Sequence, residues 1–338
     1  METQKMKISV VILNWNGKIW LEKFLDNVIE NSKIADIVVV DNNSTDNSIT
    51  YLTKNYPAIR IIKNKGNYGY AKGYNEALKQ IDSEYFILLN SDIEVTKNWI
   101  SPVIDLMEKD KKISACQPKI LDYNNKKKFE YAGACGGFID KLGYPFCRGR
   151  IFNHLEKDSG QYNDSIEIFW ATGACIFLRS SHFFEIGGLD EDFFAHQEEI
   201  DLCWRLKNAG YKIMVEPSSI VYHVGGGTLA VGSPLKTKLN FRNNLYMLFK
   251  NLPFYVLLFL LPLRLLLDAI AAFSFITKKQ GLEHVMAIVR AHFEFYFMIP
   301  KLMIKRRGIN NSNIIGGRFP YSIIYKNKIL GIKRFSDL

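Results

Sequence analysis

Four short apolar, β-branched runs mark the first third of the chain: ISVVILNW, DIVVVDNN, IRIIKN and YFILLNSD, each ending in polar loop residues. Between and after them, stretches with helical spacing are predicted over 19–31, 48–55, 71–80 and 99–109. Strands that alternate with helices imply a mostly parallel sheet covered on both faces, an α/β architecture. Ligands of such sheets bind outside the carboxyl ends of the strands. The polar residues that follow each run therefore carry the interest: Asn14 and Asn16, Asp41, residues 64–67, and Asn90 to Asp92.

Regular patterning fades over about 113–170, where glycines and tyrosines (EYAGACGGFIDKLGYPF) suggest antiparallel strands or loops. It returns with ACIFLRSSHFFEIGG, read as strand then helix, and with YKIMVEPSSIVYHVGGGT, read as strand and glycine-rich turn. Between them AHQEEIDLCWRLKNAGYKI predicts an amphipathic helix. Counting from Glu199, Leu202, Cys203, Leu206 and Ala209 form one apolar stripe. Glu199 thus heads the inward face, and Glu198 lies nearer Asp201 and Arg205. Acidic first turns suit the positive end of a helix. A carboxylate at the head of a buried stripe, however, needs a partner, Arg205 or Lys212 for Glu199, or a chemical task.

Beyond about residue 240 the pattern turns almost wholly apolar. LPFYVLLFLLPLRLLLDAIAAFSFI is long enough to cross a bilayer, for which about 20 residues suffice. Arg264 and Asp268 near its centre would each cost roughly 2.5–3.5 kcal/mol there, and Pro253 and Pro262 interrupt it. The two charges are four apart and can pair on one helix face. An interfacial or re-entrant hydrophobic hairpin is the preferred expectation, ahead of a true span of 252–276 and of a buried soluble helix. The later VMAIVRAHFEFYFMIPKLMIKRR joins aromatics to a basic end, as interfacial helices do.

Composition refines this picture. With 338 residues, 48% hydrophobic and 23% charged, the chain can bury a sizeable core. The net charge of +10 gathers at Lys126 to Lys128, Lys278 and Lys279, and Lys305 to Arg307. With no nucleic-acid motif present, a membrane surface or a phosphorylated substrate is favoured over nucleic acid. Five cysteines without a C-x-x-C pair argue against a disulfide framework or a cysteine zinc site. A strand-like run begins almost at the first residue, so no signal peptide is expected. The expected location is cytoplasmic, peripheral or monotopic at the inner face of the cell membrane.

Three loops carry candidate chemistry. In VVVDNNSTDNS, Asp41 stands at a strand end, where it can accept from a base or ribose. NKGNYGYAKGYNEAL sets Gly66, Gly69 and Gly73 before a helix whose amides could face phosphate. The loop is neither a Walker A loop nor a dinucleotide fingerprint. In FILLNSDIEV, Asn90 and Asp92 fall on the same side of a terminating strand, and His223 ends a later one. Hard divalent ions are often held by one or two carboxylates plus phosphate oxygens.

VVILNWNG, VVVDNNSTDNS, NYGYAKGYN, LLNSDIEV, WATGACIFLRSSHFFEIGGLDEDFFAHQEEIDLCWRLKNAGY and VYHVGGGT, in that order, resemble the family 2 glycosyltransferases. These have a GT-A fold: a Rossmann-like, mostly parallel sheet flanked by helices. The chain is especially like the rhamnosyltransferase-like members of bacterial polysaccharide assembly, and the likeness covers about residues 7–228. The resemblance implies a nucleotide-diphosphate-sugar donor, a divalent cation (Mg²⁺ or Mn²⁺) and inversion at the anomeric carbon. It places Asn14, Asn16, Asp41, Asn67, Gly69, Lys72, Asn90 and Asp92 on the donor side. Asp92 and His223 become the metal contacts, and Trp170, Gly173 and Asp201 fall toward the acceptor. Glu199, with Glu198 beside it, becomes the base that activates an acceptor hydroxyl. Two departures stand out: the first carboxylate of the D-x-D motif is Asn90, and the usual Glu-Asp base motif reads Glu198-Glu199.

The sequence thus predicts a GT-A domain over 1–240 and a hydrophobic, basic helical membrane-associating region over 241–338. The expected function is transfer of a sugar to a glycan or lipid-linked glycan in cell-surface polysaccharide synthesis. Two alternatives stay open: a polyprenyl-phosphate sugar transferase, whose phosphate acceptor needs no strong base, and a catalytically silent binding protein on the same fold.

Overall fold

The computed structural model describes residues 6–225, 232–277, 280–307 and 316–338. Gly226 and Gly227 of the glycine-rich turn, and the basic pair Lys278 and Lys279, lie outside the described residues. The first half alternates as its pattern predicts: β1 (Ile8–Asn14), α1 (Lys18–Asn31), β2 (Asp36–Asp41), α2 (Ser48–Asn55), β3 (Arg60–Lys63), α3 (Gly69–Leu78) and β4 (Tyr85–Asn90). A short β5 (Ile93–Val95) and α4 (Ser101–Lys109) follow. Helix α4 starts two residues later than predicted. Trp99, fully buried, packs edge-on against Phe177 before Pro102 opens the helix.

The remaining strands of the main sheet are β6 (Ile113–Asp122), β11 (Ile166–Glu167), β12 (Cys175–Arg179) and β13 (Lys212–His223). The sheet runs β3-β2-β1-β4-β12-β6-β13-β11, with β5 on β13. Strands β1 to β4 are parallel to one another, β12 is antiparallel to β4 and β6, and β6 and β13 are parallel. Central strands buried on both faces read as continuous apolar runs, which is why ISVVILN and YFILLN were legible as strands. The irregular middle supplies a small antiparallel sheet of β7 (Gly137–Ile139), β8 (Pro145–Cys147), β9 (Arg150–Ile151) and β10 (His154–Leu155). Helices α5 (Ser180–Glu185) and α6 (Glu198–Asn208) lie between β12 and β13.

The C-terminal part forms α7 (Pro234–Asn251), α8 (Phe254–Phe273) and α9 (Gly281–Arg306). The expected boundary at 240/241 falls inside α7, a helix bonded to the segment that precedes it. Lys250, 2% exposed, ion-pairs with Asp190 at 2.5 Å and Asp201 at 2.8 Å. Helix α8 turns a stripe of Leu257, Leu260, Arg264 and Asp268 inward. Arg264 meets Asp268 at 3.3 Å, donates to the Leu142 carbonyl and stacks 3.7 Å over Tyr144, while His292 of α9 approaches Asp268 at 3.3 Å. The opposite side leaves Phe254, Leu258, Phe259, Leu266, Ile270 and Phe273 exposed. The pair expected from the i, i+4 spacing forms, and it faces protein. Of the basic end of α9, Lys305 reaches Asp190 and Asp192 and Arg306 donates to the Phe249 carbonyl, so two of its three charges serve internal contacts.

Candidate active site

Parallel strands deliver their carboxyl ends to one edge, and the sheet register shows which residues meet there. Asn14 pairs in register with Asp41, and Leu13 with Asn90. Asn14 donates through Nδ2 to Asp41 Oδ1 at 3.3 Å and to Ser44 Oγ at 3.1 Å, and Ser44 N donates to Asp41 Oδ2 at 3.0 Å. Asn16, at φ 50°, uses Oδ1 to accept from the amides of Thr45 (2.7 Å) and Asp46 (3.2 Å). Asn14 and Asn16 therefore brace the loop that presents Asp41.

A second asparagine cluster, Asn42, Asn64 and Asn67, closes the next loop. Asn42 donates to Asn67 Oδ1 (3.1 Å) and to the Gly69 carbonyl (3.0 Å), and accepts from Asn64 (3.0 Å). Asn67 also accepts from the Gly69 amide at 3.0 Å. The helix amides expected to face phosphate are engaged elsewhere: Tyr70 N and Ala71 N donate to the Phe194 carbonyl at 2.7 and 3.4 Å. Gly69, at φ +71°, allows that approach, because a Cβ there would sit 2.5 Å from the Phe194 oxygen. Lys72 is half-buried with its ammonium 4.7 Å from the Tyr68 ring.

The antiparallel pairing of β5 with β13 sets His223 opposite Ile93 and so beside Asp92. His223 Nε2 lies 3.2 Å from Asp92 Oδ1 and 3.5 Å from the Asn90 amide nitrogen. On the other side Nδ1 lies 3.2 Å from Glu130 Oε1, an ion-pair contact rather than a well-aimed hydrogen bond. Burial alone would lower the imidazole. The Glu130 and Asp92 carboxylates outweigh it and raise the group to about 10. Glu130 was not singled out from the sequence; it sits in the unpatterned stretch after β6, and only the fold brings it to His223.

Among the described residues no group of three or more His, Cys, Asp or Glu side chains is arranged to hold a metal ion. Asp92 Oδ1 and His223 Nε2 nevertheless face each other across a shared proton. A divalent cation replacing that proton would gain two protein ligands and take the rest from phosphate oxygens, as Mg²⁺ sites commonly do. The donor set therefore fits an ion completed by its substrate.

Helix α6 runs back against β13, so its head lies at the same sheet edge. Nearly every side of it is buried: Glu198, Ile200, Asp201, Leu202, Cys203, Trp204 and Leu206 are covered, and Ala209 of the predicted stripe is exposed. Of the three leading acids Glu199 keeps part of its surface open. Arg205 pairs with Asp201 and Lys212 with Asp110, so neither is Glu199's partner. Glu198 Oε2 and Glu199 Oε2 are buried without a hydrogen bond. Burial pushes Glu199 up to about 7, against the pull of the amides of Glu199, Ile200 and Gln197. Glu198 is pushed up further, by burial and by the Glu199 charge.

The residues expected toward an acceptor are placed differently. Asp201 is fully buried, held by Lys250, by Arg205 at 2.8 Å and by Asn251 at 2.9 Å, which leaves it no face for a substrate. Trp170 is 3% exposed, donates to the Phe138 carbonyl at 2.9 Å and covers Gly137, so it packs the small sheet against the large one. Gly173 accepts from the Tyr70 hydroxyl at 2.6 Å. Burial, then Tyr74, then the Glu198 and Glu199 carboxylates raise that phenol, which places Gly173 and Tyr70 on the flank of the acidic pair.

A mostly parallel sheet in which β12, β5 and β11 run the other way, an acidic strand end paired with a histidine, and a carboxylate at a helix head on the same edge define an α/β enzyme of the GT-A type. The sequence pattern of Glycosyl transferase family 2 matches residues 9–185, slightly more than half of the chain, and the protein belongs to that family. Among similar curated proteins, the N-acetylglucosaminyl-diphospho-decaprenol L-rhamnosyltransferase of Mycobacterium tuberculosis is 24% identical, over 64% of this chain and 75% of its own length. The rhamnosyltransferase WbbL of Escherichia coli is 23% identical, over 64% and 83%. The crystal structure of GalNAc-T7 with UDP, GalNAc and Mn²⁺ superposes with a TM-score of 0.59 at 16% identity; the match covers 89% of this chain but 58% of that one. The mannosyltransferase PcManGT of Pyrobaculum calidifontis, in complex with GDP-Man and Mn²⁺, gives 0.51 at 14% identity, over 90% and 74%.

Proposed function

We propose that this protein is an inverting glycosyltransferase that moves a sugar from a nucleotide-diphosphate-sugar to a hydroxyl of a lipid-linked glycan at a membrane surface. The observation that carries the reading is Glu199: a half-buried residue at a helix head on the ligand edge, its carboxylate without an ion pair and lifted to about 7 by burial. A base with that value accepts a proton near neutrality and is ionised often enough to do so.

Asp41 and its asparagine braces receive the nucleoside, and Asp92 and His223 face the diphosphate. Glu199 takes the proton of the acceptor hydroxyl. The freed oxygen pair attacks the anomeric carbon from the side opposite the diphosphate, and the carbon–oxygen bond to the diphosphate breaks with its electrons leaving on that oxygen. A divalent cation, when bound at Asp92 and His223, neutralises charge on the diphosphate. The apolar outer side of α8, with Phe293 and Phe297 of α9, suits an interfacial position with the Arg264–Asp268 pair turned to protein. The rhamnosyltransferase relative, named for an acceptor on diphospho-decaprenol, supports a lipid-linked acceptor.

The test is a calorimetric panel of UDP-, dTDP- and GDP-sugars with and without Mn²⁺ or Mg²⁺, on wild type and Asp92→Ala. Binding of one donor that needs the ion and weakens at least about tenfold in the variant is expected, the loss of a charge-assisted contact. Binding that ignores both ion and Asp92 refutes the metal-assisted reading.

A further inference from the structure

The segment that leads into Glu198 and Glu199 is held in an unfavourable backbone conformation. Phe194, His196 and Gln197 have φ of 63°, 71° and 69°. Non-glycine residues seldom adopt positive φ, and a run of them persists only where the surroundings over-determine it.

Helix α7 supplies the surroundings. Asn243, fully buried, donates through Nδ2 to the carbonyls of Phe193 (3.0 Å), Ala195 (2.9 Å) and His196 (2.7 Å). An amide nitrogen has two hydrogens, so three carbonyls share one NH₂ group at the centre of a backbone ring. Arg242 Nη2 donates to the Asp192 (3.2 Å) and Phe193 (3.0 Å) carbonyls. Gln197 is gripped at both ends: its Nε2 donates to the Asn240 carbonyl (2.9 Å), and its Oε1 accepts from Asn244 (3.1 Å). On the other side, the Phe194 carbonyl caps the head of α3 through Tyr70 and Ala71. The segment therefore spans from the donor-side helix to the helix that carries the base, with α7 behind it. Arg242 and Lys238 also pair with Glu294 of α9, at 3.0 and 2.8 Å, which anchors this face of α7.

We propose that Asn243 is a positioning residue for sugar transfer, fixing segment 193–197 so that Glu199 is presented to the acceptor hydroxyl. It touches no substrate and acts through the backbone it holds; the inference rests on Glu199 as the base. Three carbonyls aimed at one point repel each other unless a donor stands there, so no apolar or acidic side chain substitutes for the amide.

The experiment uses the full chain with Asn243→Asp, which keeps shape and loses the donor, and Asn243→Ser, which keeps one hydroxyl donor. Donor binding is read by calorimetry. kcat, KM and the pH profile are read from nucleoside diphosphate release, with polyprenyl-diphosphate-linked N-acetylglucosamine as acceptor. For Asn243→Asp, kcat is expected to fall on the order of 100-fold, as for a base misplaced by about 1 Å. Donor affinity stays within about threefold, and the acid limb moves toward the ordinary carboxylate range as water reaches Glu199. Asn243→Ser recovers part of the rate. A folded variant with unchanged kcat and acid limb overturns the proposal. So does loss of donor binding in step with kcat in both variants, because the residue would then hold the domain rather than the base. Glu199→Gln is measured alongside: a wild-type rate there sinks the base assignment itself, whatever the Asn243 variants do.

Discussion

Replacing Glu199 by glutamine keeps the side chain's volume and one acceptor oxygen and removes the ability to take a proton. General-base catalysis of this kind contributes about 10²–10⁴-fold, which sets the expected loss in kcat. The wild-type pH profile follows from the cause of the shift. Burial disfavours the charged form and lifts Glu199 to about 7, and the reactive form is the ionised one, so activity is lost as pH falls through that value and is fully present above it. One pH unit below the midpoint costs about tenfold and two units about 100-fold. Glu198 gives the internal control. Burial and the neighbouring Glu199 charge hold its carboxyl well above the usual range, which favours its neutral form. Glu198→Gln resembles that neutral form and is expected to keep kcat within about threefold and the same acid limb. The assay is coupled detection of nucleoside diphosphate release between pH 5 and 9 with saturating donor. A flat profile, or a Glu199→Gln enzyme as fast as wild type, refutes the reasoning and favours a phosphate acceptor, which needs no base.

Two further consequences concern the C-terminal helices. Lys250→Met removes the cation between two buried carboxylates, Asp190 and Asp201, at a cost of about 3–5 kcal/mol. Scanning calorimetry is then expected to show melting lowered by roughly 4–7 °C; a shift below about 2 °C would show that the pair is dispensable. The double variant Phe259→Asp, Phe297→Asp alters side chains that are 81% and 83% exposed, so melting stays within about 2 °C. Co-sedimentation with vesicles of anionic phospholipid is expected to drop at least about tenfold, and undiminished sedimentation would remove α8 and α9 from the membrane contact.

Where one physical rule dominated, the chain was readable directly. Strands β1, β2 and β4 are buried on both faces and leave continuous apolar runs, and α2 was bounded to the residue because Ser48 and Asn55 sit at clear changes of pattern. Parallel order then places Asn14, Asp41 and Asn90 on one edge with no further information. The stretch 113–170 was opaque because its strands are two or three residues long apart from β6, too short to show a period. Helix α6 was predicted amphipathic but is buried almost all round, since α7 covers the face that solvent would otherwise take.

The sequence by itself determined the alternating α/β order, the ligand edge with its asparagines and acids, and the Arg264–Asp268 pairing, because each follows from local periodicity or from residues a few positions apart. Tertiary structure alone decided the roles within the site. Asp201 and Glu199 are two residues apart and chemically alike. One is neutralised by Lys250 from a helix forty-nine positions away, and the other is left without a counter-charge. Glu130 reached His223, and Asn243 reached the carbonyls of 193–196, in the same way. Burial and charge depend on what the fold brings alongside a residue, and no window of sequence contains it.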